Sequence, residues 1–74
     1  MPRYFFHIHD GRDVPDEEGT ELASPEEARK QGVIACGEML KDLKGAFWDS
    51  GEWTMTVKDW KGNVVCELKV FGSR

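Results

Sequence analysis

The sequence lacks long apolar runs and clusters of basic residues. No stretch approaches the roughly 20 apolar residues that a membrane-spanning helix needs, and the first residues contain no apolar segment typical of a secretion signal. Ten Lys and Arg stand against fourteen Asp and Glu, which gives a formal net charge of −4. Because phosphates are bound by clustered Lys and Arg, we expect no nucleic-acid partner. We expect a cytoplasmic location and no membrane partner.

Cysteine is also scarce. Cys36 and Cys66 are the only two, and they form neither a CxxC motif nor a Cys/His ladder. This spacing predicts neither a zinc site nor a disulfide framework, and in a reducing compartment both are expected to be small buried side chains.

Metal-ligand patterns are incomplete. His7 and His9 point the same way on a predicted strand, but spacing offers no complete ligand set. The acidic segment Asp10–Glu21 has the length of a calcium-binding loop, yet Arg12, Val14 and Pro15 occupy positions that need ligands and a turn glycine. We therefore expect no metal. The carboxylates of the acidic segment are expected to accept hydrogen bonds from backbone N–H groups or to meet a basic partner.

Catalytic patterns are missing as well. The serines, Ser24, Ser50 and Ser73, do not lie in a nucleophile-elbow context, and the glycines form no phosphate-binding pattern. Neither cysteine has a histidine partner, because the histidines are predicted to face away from the core. The sequence predicts no enzyme and no cofactor.

Alternation and capping signals define the elements. Arg3–His9 alternates apolar and polar residues as a half-buried strand does, and Thr20–Leu22 is a possible short second strand. Ser24 and Pro25 favour a helix start, Glu27 completes a capping box, and the apolar arc predicts a helix over residues 25–44 with Gly45 as its stop.

Two further strands complete the predicted fold. Trp53–Val57 and residues 64–71 alternate around a hairpin loop at residues 59–63. The whole chain, residues 1–74, is then one α+β domain of order β-β-α-β-β, with an antiparallel sheet and one helix on one face. The residues predicted to face the core are Tyr4, Phe6, Ile8, Ala28, Gly32, Ala35, Met39, Leu43, Trp53, Met55, Val57, Cys66 and Leu68.

Several motifs also resemble a known family. The segments are Pro2–Ile8, Asp10-Gly11, Pro15–Glu21 and Glu26–Arg29. They are similar to short alphaproteobacterial proteins, especially rhizobial ones, known only as a domain of unknown function. His9 stands where that family more often has Arg. The resemblance implies a stand-alone cytosolic domain and implies no activity.

No pattern specifies a biochemical activity, so function is expected to reside in a surface. The alternation places apolar Phe5, Val65 and Phe71 on the uncovered sheet face, beside His7. Such a patch predicts a non-catalytic protein-interaction domain, with self-association as one form. The alternative is a small regulator that inhibits a protein partner, by coarse analogy with antitoxins of the HicB type.

Overall fold

The computed structural model describes all 74 residues as a two-layer α+β domain. Its sheet contains β1 (Arg3–His9), β2 (Asp13–Val14), β3 (Thr20–Glu21), β4 (Glu52–Asp59) and β5 (Val64–Phe71). All pairings are antiparallel: β1 pairs with β4, β4 pairs with β5, and the two short strands both pair with the outer side of β1. The predicted α+β fold is confirmed, and β2 is an addition that the sequence did not predict.

The single α-helix, α1 (Pro25–Leu43), begins as its sequence predicts. The Glu27 N–H donates to the Ser24 side chain over 3.2 Å, and Pro25 occupies the first helical position. The helix ends one residue before the predicted boundary, because Lys44 adopts a φ of 49° and a 3-10 helix follows over Lys44–Asp49.

The core lies between α1 and the strands β4 and β5. Its buried apolar residues are Tyr4, Ala28, Cys36, Trp53, Met55 and Val57. The register places Phe6 opposite Val57 and Ile8 opposite Met55, so the predicted inward faces of β1 and β4 are confirmed. The helix packs chiefly on β4 and β5, and Phe6 and Ile8 of β1 remain half-buried.

Two predicted orientations are wrong. Met39 was expected in the core but is 39% exposed, because α1 packs on β4 and β5 and leaves a gap over β1. Leu40 packs against the core instead. Val65 was expected on the open face. A register shift pairs Val57 with Cys66 but Lys58 with Val64, so Val65 has no partner on β4 and packs against the core instead.

Met39 and Met55 offer a matched test of this core. Met55 is fully buried, so Met55→Ala should lower the free energy of unfolding by about 2–5 kcal/mol. Met39→Ala should cost less than about 1 kcal/mol, because part of that side chain already contacts water. Chemical denaturation of both variants and the parent protein checks this. Equal losses would contradict the position of α1 over β4 and β5.

Candidate interaction surfaces

The open face of the sheet does not form one apolar patch. Phe5 and His7 stack with ring centroids 6.4 Å apart and planes inclined by 12°. Phe71 is 70% exposed but lies opposite Glu52, whereas Phe5 lies opposite Lys58. Glu52 and Lys58 are six positions apart on β4, which is about 20 Å along a strand. The structure therefore brings Phe5 to His7 and leaves Phe71 at the far end of the face, while Val65 packs against the core.

Between these aromatic ends, the open face is polar. The register aligns His7, Thr56 and Glu67 across three strands, with Thr54 and Lys69 in the next row. The Thr56 hydroxyl donates to the Glu67 carboxylate over 3.1 Å. Lys69 Nζ lies 3.5 Å from that same carboxylate. This centre resembles a solvated sheet face rather than an apolar contact surface.

Both histidines contact the acidic segment instead of each other. His7 Nδ1 accepts a hydrogen bond from the Asp16 N–H over 3.1 Å, and His9 Nδ1 lies 2.7 Å from Asp13 Oδ1. No group of three or more His, Cys, Asp or Glu side chains is arranged to hold a metal ion.

Asp16 closes the outer edge of β1 between β2 and β3. Its carboxylate accepts the Phe6 N–H over 3.1 Å, and also the N–H groups of Glu18 and Gly19. Desolvation acts to raise the pKa of Asp16. The hydrogen bonds from Gly19, Phe6 and Glu18, with the nearby His7, outweigh it and hold this pKa below its usual value. The predicted capping of backbone N–H groups by the acidic segment is thus confirmed.

Gly19 lets the acidic segment lie this close to β1. It has a φ of +72°, and a Cβ at this position would lie 2.9 Å from the Tyr4 carbonyl oxygen. Neither the backbone conformation nor the space suits a residue with a side chain. The turn after Asp16 therefore depends on glycine.

The opposite edge of the sheet, β5, has no such cover. Seven of its eight residues pair with β4 on one side, and no strand pairs with the other side. The Gly72 N–H donates to the Gly51 carbonyl over 2.8 Å, which fixes the alternation of the ladder. By that alternation, the backbone groups of Glu67, Lys69 and Phe71 point away from β4. One edge is closed and the other is open.

A groove runs between α1 and β1, which we name the α1–β1 groove. It consists of two hollows of about 300 and 340 Å³ that share Met39. Phe6 and Ala35 contribute apolar walls to the first hollow. The second hollow has the apolar walls Ile8, Val14, Leu43 and Trp53. The apolar arc of α1 predicts Met39 in the core, so the sequence pattern does not indicate this groove.

The cysteine thiols are poor candidates for chemistry. Cys36 is buried and Cys66 is half-buried, and both are free. Burial raises the pKa of both thiols, and for Cys66 the nearby Arg29 opposes that rise only in part. A raised pKa disfavours the thiolate, which is the nucleophilic form.

These features define a small two-layer α+β domain with one closed and one open sheet edge. The chain belongs to the family described as Domain of unknown function (DUF6894), whose family model matches residues 3–72. No curated protein and no solved structure matches the chain. No helix of the domain is both long enough and apolar enough to cross a bilayer.

Asp16→Asn tests the closed edge. Loss of the charged acceptor should lower the free energy of unfolding by about 1–2 kcal/mol at neutral pH. The contribution of Asp16 is present above the pKa of an unfolded Asp, and it is lost as pH falls through the lower pKa of the folded state. Denaturation between about pH 5 and pH 2 should thus show a shallower decline for Asp16→Asn than for the parent.

Asp13→Asn is the matched control for this prediction. The Asp13 side chain is highly exposed and contacts only His9, so its loss should change stability by less than about 0.5 kcal/mol. Equal effects of the two substitutions would contradict a specific role for Asp16 at the sheet edge.

Proposed function

We propose that this domain is a non-catalytic interaction module that self-associates through β5. The observation that carries the proposal is the contrast between the two sheet edges. The outer side of β1 is covered by β2, β3 and the Asp16 carboxylate, whereas β5 presents the unpaired backbone groups of Glu67, Lys69 and Phe71. An open regular edge is a template for pairing with another strand.

The residues of β5 support an antiparallel pairing with a second copy. In a two-fold arrangement centred on Leu68, Glu67 of each copy lies directly opposite Lys69 of the other, so the interface contains two pairs of opposite charge. Centring on Glu67 or on Lys69 would instead bring like charges together. Since Glu67 and Lys69 both direct backbone groups outward, this register also lets them exchange N–H and C=O bonds.

The core side of the same strand favours the same register. Cys66, Leu68 and Val70 are only half-buried, because the edge of the core beside β5 has no cover. Pairing centred on Leu68 would bring the two Leu68 side chains together and place Cys66 opposite Val70. Burial of apolar area contributes about 25 cal/mol per Å², from which the entropy of association is subtracted, so we expect a weak or moderate dimer.

A charge exchange tests both the pairing and its register. Lys69→Glu places Glu opposite Glu across the proposed interface and should weaken dimerisation by about tenfold or more. The double variant Glu67→Lys/Lys69→Glu restores opposite charges and should recover an affinity close to that of the parent protein. Sedimentation velocity over a range of protein concentrations measures both.

Lys41→Glu is the control, because it changes the net charge equally at an exposed position of α1 away from β5. It should leave the dimer intact. A parent protein that stays monomeric at every concentration would overturn the proposal. A double variant that dimerises as weakly as Lys69→Glu alone would overturn the register centred on Leu68.

A further inference from the structure

The α1–β1 groove has an apolar floor and a rim of one charge. Phe6 and Ile8 are half-buried at its base, and Met39 is partly exposed between its two hollows. The charged residues that line it are Asp10, Asp16 and Asp42, and no Lys or Arg lines either hollow. An occupant must therefore bring apolar side chains and positive charge together.

Asp10 supplies an independent indication of a missing donor. Its Oδ1 atom is shielded from solvent, yet no group in the domain donates a hydrogen bond to it. A buried carboxylate oxygen without a donor is costly, and most such atoms in folded proteins have partners. Arg12 lines a neighbouring hollow together with Asp10 but donates no hydrogen bond to this oxygen. Asp10 also lines the second hollow, so a cationic group bound there would lie beside this carboxylate.

The wider charge distribution favours the same occupant. The segment Asp10–Glu21, which borders the groove, carries six acids and a single base, Arg12. Such a local field attracts basic segments and raises their rate of association. We propose that the α1–β1 groove binds a basic amphipathic segment of a partner protein, with apolar side chains against Phe6, Ile8 and Met39 and a Lys or Arg at Asp10.

The groove lies beside β1, at the edge of the sheet opposite β5. Binding there leaves the backbone of β5 free. The proposal therefore stands independently of self-association, and failure of either one leaves the other unaffected.

The probe is a labelled synthetic peptide of alternating Leu and Lys, and the control peptide has Glu in place of every Lys. Fluorescence anisotropy measures affinity, and amide chemical shifts locate the site. The Lys peptide should bind saturably and at least about tenfold more tightly than the Glu peptide. Its shifts should concentrate at β1, β2 and the Ala35–Leu43 side of α1.

Substitutions in α1 and at Asp10 separate the groove from general charge attraction. Met39→Lys and Asp10→Asn should each lower the affinity for the Lys peptide by about tenfold. Ile34→Lys, at another exposed apolar position of α1 that does not line the groove, should leave the affinity within about threefold. Equal affinity for both peptides, shifts centred on β5, or an equal loss in Ile34→Lys would overturn the proposal.

Discussion

The carboxylate of Asp16 closes the one gap along the outer side of β1. The alternation of the ladder directs the backbone groups of Tyr4, Phe6 and Ile8 toward this side. Thr20 pairs with Tyr4, and Val14 pairs with Ile8, which leaves the Phe6 N–H between two short strands. Asp16 accepts that N–H together with two from its own turn. The acidic segment thus acts as structural cover for a sheet edge.

Because only one sheet edge is closed, the two edges of the domain differ in their capacity to pair with another chain. Sheet edges expose backbone groups that pair readily with other chains, and proteins commonly protect them. Here the protection is confined to β1. β5 is eight residues long and free of proline, and its pairing with β4 is regular from Cys66 to Phe71. A second asymmetry, the uneven cover of the sheet by α1, follows from the small size of the domain. A chain of 74 residues supplies one helix, and that helix packs chiefly on β4 and β5, so a groove remains over β1.

Local rules were sufficient for most of the fold. Ser24 and Pro25 mark the start of α1 because capping depends on neighbouring residues alone. The alternation in Arg3–His9 and Trp53–Val57 identifies the inward faces because a strand has a period of two. Gly62, with a φ of +85°, lies in the predicted hairpin loop.

Local rules could not predict features that depend on how the helix and strands are positioned relative to one another. Met39 lies within the apolar arc of α1, but its exposure depends on which strands the helix covers. Val65 follows the alternation of β5, yet a bulge opposite β4 changes its orientation. The candidate surfaces also depend on this long-range arrangement. No local pattern indicates that β5 is the open edge or that an Asp10 oxygen lacks a hydrogen-bond donor.

Residue-resolved amide hydrogen exchange at two protein concentrations tests the central asymmetry most directly. In the dilute monomer, the Phe6 amide should be protected by Asp16, and the outward amides of Glu67 and Lys69 should exchange rapidly. At high concentration, Glu67 and Lys69 should become protected, while Phe6 stays unchanged. Rapid exchange at Phe6 at both concentrations, or exchange at Glu67 and Lys69 that does not depend on concentration, would contradict a sheet with one closed and one associating edge.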